Sequence, residues 1–142
     1  MKIRIGIVGY GNLGRGVETA VNATEDCELV ALFTRRDPST IKTRTGIPVY
    51  KMEDAVKMQD KIDVMVLCGG SANDLPEQTP EFAKYFNVID SFDTHANIPL
   101  HYKNVDSVSS CFIHNNILFL YDSSSSMFMD NLLILFNSVL GI

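Results

Sequence analysis

Residues 3–14 read IRIGIVGYGNLG, and the fold turns on the join in the middle of that stretch. Ile3 to Val8 is a short apolar run of strand length. From Asn12 to about Thr24 the apolar residues recur at helical spacing, and Leu29 to Phe33 is a second apolar run. Strand, helix and strand follow within about thirty residues, the length of one βαβ unit. The join carries Gly9, Gly11 and Gly14 in the pattern GxGxxG, directly after a strand and opening a helix, the setting in which the pattern has meaning. The first glycine permits the tight turn, the second lets backbone approach a pyrophosphate, and the third lets helix and strand pack closely. Tyr10, Asn12 and Leu13 occupy the positions between, so residues 9–14 together are candidate dinucleotide contacts. Amides at the helix start would point at the phosphates, with the helix dipole adding roughly 0.3–2 kcal/mol.

The same alternation continues along the chain. A third strand is expected at Pro48–Tyr50, a short helix at Glu53–Met58, and a buried strand at Val64–Cys68 (VMVLC). After the loop GGSAND a helix is expected at Pro76–Phe86, a strand at Asn87–Asp90, a helix after Pro99 and a sixth strand at Ile117–Tyr121. Strands alternating with helices predict an α/β fold, a Rossmann-type doubly wound parallel sheet covered on both faces.

The end of the second strand speaks to which dinucleotide. Sites that choose NAD place a carboxylate there for the ribose 2′-hydroxyl. Here the residues are Thr34, Arg35 and Arg36. A carboxylate would repel a 2′-phosphate, whereas a guanidinium meets it with charge-assisted hydrogen bonds worth roughly 1.5–3 kcal/mol each. NADP is the expected cofactor; were Asp37 to face the ribose in place of Arg35, NAD would be favoured.

Composition agrees with a small-molecule partner. The 142 residues suffice for one core, and a net charge of −5 without a basic stripe excludes the electrostatic footprint of a nucleic-acid binder. Three widely spaced cysteines, Cys27, Cys68 and Cys111, suggest neither a disulfide framework nor a metal site, and a reducing cytoplasm is expected. No signal sequence is read at the N-terminus. MFMDNLLILFNSVLGI near the end is interrupted by Asp130, Asn131 and Asn137 and is short of the roughly 20 residues a membrane span needs.

Four stretches taken together, VGYGNLGRGVE (8–18), FTRRD (33–37), VLCGGSANDLPEQTPEFAKYF (66–86) and VIDSFDTHANIPLH (88–101), resemble the NADP-binding domain of meso-diaminopimelate dehydrogenases. The resemblance spans about residues 3 to 101. It implies NADP-dependent oxidative deamination of the D-centre of meso-2,6-diaminopimelate, giving L-2-amino-6-oxopimelate and ammonia, in lysine and cell-wall precursor biosynthesis. It also implies that Cys68, Gly69, Gly70, Ser71 and Ala72 line the cofactor beyond the fourth strand. Cys68 is read as a small buried thiol, since hydride transfer needs no nucleophile. Asp93 falls where the family holds the substrate amino group; the competing reading is an aspartate that caps its loop. Asp90 is expected to be structural, and His95 and His101 to be loop and helix-start residues.

The resemblance fails after the sixth strand, where the family carries Gly-Trp-Asp-Pro-Gly and this chain has LYDSSSSMF (120–128). Tyr121 and Asp122 are candidate stand-ins, Asp122 as a second contact to the substrate amino group. From Asn104 to Ile142 there is no Lys or Arg. Residues 1–122 are expected to form the NADP-binding domain. Residues 123–142 are expected to form a C-terminal apolar helix, a remnant of the connection to a substrate and dimerisation domain that is absent; the alternative is a buried last strand and helix of the same domain. An exposed apolar face on that helix would favour a homo-oligomer. Two other functions stay open: a non-catalytic NADP(H)-binding module, and another NAD(P)-dependent oxidoreductase.

Overall fold

Ile5, Ile7 and Val8 are wholly buried, which makes the first strand the centre of the molecule and not an edge. The computed structural model describes residues 1–109 and 117–119. Six strands form one parallel sheet: β1 (Ile3–Val8), β2 (Cys27–Thr34), β3 (Val49–Lys51), β4 (Val64–Leu67), β5 (Asn87–Asp90) and β6 (Ile117–Phe119). Their order across the sheet is β3-β2-β1-β4-β5-β6. The doubly wound Rossmann-type sheet expected from the alternating pattern is therefore the fold.

Two-sided burial follows from the alternation of side chains along each strand. On one face Ile5, Ile7, Leu32, Val64, Val66 and Ile89 pack with Val17 and Val21 of helix α1 (Asn12–Ala23). On the other face Val8, Phe33, Met65, Leu67 and Val88 pack with Leu75 and Phe82 of α2 (Leu75–Phe82) and with Val105 of α3 (Ile98–Ser109). The β1–β2 register slips between Ile5 and Gly6, so Leu29 and Ala31 both find partners and Val30 is passed over.

Several boundaries differ from the sequence reading. β2 runs Cys27–Thr34 where Leu29–Phe33 was expected, and β4 ends at Leu67 and not Cys68. β3 runs Val49–Lys51, one residue later than expected, because its bounds are set by pairing Leu32 with Val49 and Thr34 with Lys51. The short helix after it is a ten-residue 3-10 segment, Met52–Lys61, kinked at Met58. Helix α2 ends at Phe82, earlier than Phe86; Pro80 has no N–H to return to Pro76, though Ala83 and Phe86 still bond back to Thr79 and Phe82. The expected boundary at residue 122 and the helix at 123–142 lie outside the described residues.

Because β2 and β3 lie on one side of β1 and β4, β5 and β6 on the other, the chain reverses its direction of travel at the β1/β4 junction. In open α/β sheets the ligand crevice lies outside the carboxyl ends of the strands at such a switch point.

Candidate functional site

The glycine loop sits at that switch point and is fastened from both sides. Gly9 donates its N–H to Phe33 O at the end of β2 (2.9 Å), and Cys68 donates to Val8 O from the end of β4 (2.8 Å). Gly9 has φ +90°, and a Cβ there would stand 3.0 Å from Cys68 O, so the turn needs glycine twice over. At Gly14 a Cβ would fall 2.2 Å from Gly9 O: this is where α1 rests on the loop. At Gly11 a Cβ would meet nothing within 4 Å. Gly11 is the N-cap of α1 and offers no side-chain acceptor, and no acidic residue lies in the first turn. The first amides of α1 thus face a position open to an anion.

Gly9, Tyr10 and Gly11 line a groove of about 320 Å3 with Thr34, Arg35, Arg36, Cys68, Gly69 and Gly70. The structure brings together in this one groove nine of the sequence-predicted contacts, drawn from three separate strand ends. Asn12 is exposed at the helix start, Leu13 is partly buried against the core beneath, and Gly14 is buried. A wider cavity of about 600 Å3 continues past Thr34, Arg35, Arg36 and Asp37 to Lys51, Met52 and Glu53.

The two arginines are held differently. Arg36 donates from Nη2 to Tyr10 O (2.9 Å) and from its backbone N–H to Thr34 Oγ1 (3.1 Å), bracing the glycine loop against the end of β2. Arg35 reaches Asp74 Oδ1 at 2.8 Å. Asp37 accepts from Ser39 N–H (3.0 Å) and Ser39 Oγ (2.8 Å), and those bonds hold its carboxyl below the usual range. One carboxyl oxygen thus caps the 3-10 turn Pro38–Thr40 within its own loop.

Beneath the loop Glu18, wholly buried in α1, accepts from Tyr10 Oη and from Thr45 N–H (2.8 Å) and Oγ1 (2.7 Å). Burial alone would raise its pKa, but the donors of Tyr10 and Thr45 outweigh burial and hold the carboxyl low. Burial and the neighbouring Glu18 push the Tyr10 phenol up. Cys68 is buried and its thiol is pushed up to about 12 by desolvation, which leaves it protonated at neutral pH.

Ser71, Ala72 and Asp93 lie outside that groove's lining. Ser71 Oγ accepts the Asp93 N–H (2.8 Å), which ties the loop after β4 to the loop after β5; Ala72 is exposed. Asp93 is exposed. Its loop is anchored from below by Asp90, whose Oδ1 accepts the Phe92 N–H (2.8 Å) and whose Oδ2 accepts from Thr79 Oγ1 and His101 Nε2 (2.6 Å each). The His101 ring stacks on Phe92 with centroids 4.1 Å apart. Asp122 lies outside the described residues. Among the described residues no group of three His, Cys, Asp or Glu side chains could hold a metal.

Five groove-lining residues were missed by the sequence reading: Lys51, Met52, Glu53, Asp74 and Gln78. Lys51 was legible in principle, since moving β3 by one residue sets it beside Thr34. Asp74 and Gln78 open α2, and only the strand order shows that this helix start faces the end of β2.

No family model matches the chain. Sequence comparison finds the meso-diaminopimelate D-dehydrogenase of Lysinibacillus sphaericus, 64% identical over 107 residues, 75% of this chain and 33% of that one. Over that stretch the chain is similar to meso-diaminopimelate D-dehydrogenases. The chain spans about a third of the length of the curated relatives it matches. Among solved structures, an engineered D-amino acid dehydrogenase bound to NADP+ is similar with a TM-score of 0.80 and 37% identity, over 97% of this chain and 42% of that one. A Clostridium tetani meso-diaminopimelate dehydrogenase mutant with DAP matches with a TM-score of 0.77 and 43% identity, over the same shares. The glycine loop and the loops after β2, β4 and β5 all lie at the end of the sheet where the crevice opens.

Proposed function

We propose that this chain binds NADP(H) in the groove at the β1/β4 switch point and forms the nucleotide-binding part of an NADP-dependent meso-diaminopimelate dehydrogenase. One observation carries the reading: Arg35 and Arg36, at the end of β2, line the same groove as the open Gly11 and the uncapped start of α1. That is a cation pair and an amide cluster in one trough, suited to a 2′-phosphate and a pyrophosphate at once. Asp37, the residue that would have argued for NAD, is engaged by Ser39.

When bound, the nicotinamide supplies hydride transfer to and from the D-configured carbon of the substrate, whose imine is hydrolysed to L-2-amino-6-oxopimelate and ammonia. The chain's own residues bind and orient. Gly9, Gly11 and the first amides of α1 receive the pyrophosphate, and Gly14 keeps α1 close enough for those amides to reach it. Arg35 and Arg36 hold the 2′-phosphate, and Thr34 Oγ1 fixes the backbone between them. Cys68, Gly69, Gly70, Ser71 and Ala72 form the wall beyond β4. Asp93 orients the substrate ammonium by charge-assisted hydrogen bonds, with Ser71 and the Asp90–His101 pair fixing its loop. Cys27 and Cys68, both free and buried, suit the reducing cytoplasm. Among the described residues no helix is long and apolar enough to cross a membrane.

Titrating the chain with NADP+ by calorimetry, then adding meso-diaminopimelate and following absorbance of the reduced cofactor, tests both halves. Binding with turnover supports the dehydrogenase. Binding without turnover supports a non-catalytic NADP(H)-binding module, and no binding of either dinucleotide overturns the reading altogether.

A further inference from the structure

Arg35 does not stand ready for a phosphate. Its guanidinium extends from the end of β2 to Asp74 at the start of α2, Nη1 to Oδ1 at 2.8 Å. β2 and β4 flank β1, and Arg35 and Asp74 line the groove from its two sides together with Gly9 and Gly11. The ion pair therefore bridges the groove that the dinucleotide would enter.

The two partners are unequally free. Arg35 is 65% exposed and Asp74 only 19%. Asp74 Oδ2 accepts the Gly70 N–H (2.9 Å), and the Asp74 backbone is tied to the same glycine by its N–H to Gly70 O (2.8 Å). Gly69 packs close against it: a Cβ there would come within 2.9 Å of the Asp74 Cβ and 2.8 Å of Gln78 Oε1. The bonds to Gly70 hold the carboxylate in place without help from the arginine. The Gly70 N–H, opposed by burial and helped by Arg35, holds the Asp74 carboxyl below its usual range, so it is charged at neutral pH.

We propose that Asp74 is a specificity-determining residue that competes with the 2′-phosphate for Arg35 and so sets the preference for NADP over NAD below what two arginines alone would give. This rests on the NADP reading above. A 2′-phosphate recruits Arg35 only by drawing it off Asp74 or by settling beside a fixed carboxylate, and either route costs affinity. A dinucleotide that ends in a 2′-hydroxyl leaves the ion pair intact and pays neither cost. Asp74 thus acts on the difference between the two cofactors.

The test is calorimetric titration of the full chain and its Asp74→Asn variant with NADP+ and NAD+. Asparagine keeps an oxygen for the Gly70 N–H and removes the charge. Releasing an exposed ion pair predicts NADP+ binding about two- to fivefold tighter, with NAD+ unchanged. In an Arg35→Ala background the gain for NADP+ must be smaller, because only the direct repulsion between carboxylate and phosphate is then relieved. Should Asp74→Asn be poorly folded, Asp74→Ser, which also offers an oxygen to Gly70, is expected to give the same shift. Weaker NADP+ binding, an equal shift for both dinucleotides, or an effect undiminished without Arg35 would each overturn the proposal. If the unmodified chain bound neither dinucleotide, the NADP reading itself would fail; if it bound NADP+ but ignored the Asp74 substitution, only this inference would.

Discussion

Three glycines within six residues, each replaced by alanine, should give three different outcomes, because the added methyl group meets three different surroundings. At position 14 the Cβ would lie 2.2 Å from Gly9 O and 3.2 Å from Gly9 C, both backbone atoms that cannot rotate away. Restoring ordinary contact needs α1 to withdraw by about 1 Å. Overpacking of that kind costs about 1–3 kcal/mol, and an amide donor displaced by about 1 Å no longer makes a hydrogen bond. Gly14→Ala is therefore expected to lose both stability and at least about tenfold in NADP+ affinity. At position 11 the Cβ meets nothing in the protein, so only the change of N-cap counts, at most about 1 kcal/mol. Its methyl group would instead stand where the pyrophosphate passes. Gly11→Ala should keep its fold and lose binding by more than tenfold. At position 16, inside α1, the Cβ again meets nothing, and replacing a mid-helix glycine is worth about 0.5–1 kcal/mol. Gly16→Ala should be more stable with affinity unchanged. Urea unfolding followed by circular dichroism gives the stabilities and calorimetry the affinities. Wild-type binding by Gly11→Ala would refute the path assigned to the pyrophosphate, and wild-type stability of Gly14→Ala would refute the packing argument.

Further outcomes separate the groups around the groove. Arg35→Ala should weaken NADP+ by about tenfold, the loss of a charge-assisted contact, and leave NAD+ alone. Arg36→Ala should weaken both dinucleotides, because Arg36 also braces the glycine loop through Tyr10 O; titration with each cofactor checks the contrast. Lys51→Ala should weaken NADP+ by about twofold at low salt, the size of one exposed ion pair, and the difference should vanish at high salt. Glu18→Gln should cost about 1–3 kcal/mol at neutral pH by leaving the donors of Tyr10 and Thr45 badly matched. The Glu18 carboxyl is held below its ordinary value of 4.5, so its contribution is full above that pH and is lost as pH falls through the lower folded value. Urea midpoints at neutral and acidic pH should therefore converge between wild type and Glu18→Gln on acidification, and a gap that widened would contradict the assignment.

Much of this was legible along the chain, and the parts that were not share a physical cause. Buried strands of a parallel sheet read as near-continuous apolar runs, so VMVL and IRIGIV, interrupted only by Arg4, announced themselves, and the glycine spacing placed the turn between β1 and α1. β3 is three residues long with two of them exposed, and its position is fixed by β2 and not by its own pattern, which is how Lys51 escaped notice. Glu18 looks like any acid on an amphipathic helix; only the approach of Tyr10 and Thr45, the latter 27 residues on, makes it a buried clamp. Asp74 was read only as the last residue of the loop GGSAND, and its meeting with Arg35 depends on the order of strands, a non-local property that no local period encodes. Asp122 and the boundary at residue 122 lie outside the described residues.

The groove divides its labour between residues that hold the loop and residues that face the ligand, and this division makes the substitutions separable. Gly14, Glu18 and Asp90 are buried, and each is engaged by the protein itself. Gly11 and Lys51 border the open space with little structural duty, Lys51 meeting Glu53 only at 3.8 Å. Changes to the first set should move stability and binding together, whereas changes to the second should move binding alone. Arg36 and Arg35 are the two exceptions, and they differ in kind. Arg36 spends one donor on the loop that it helps to form, so its structural bond and a phosphate contact can coexist on different nitrogens. Arg35 gives one of its donors to a carboxylate across the groove, whose negative charge would sit beside any phosphate that its other donors held. The same residue type, at adjacent positions, is thus a support for the site in one case and a contested ligand in the other. Sequence adjacency hides that difference; the order β2-β1-β4 produces it.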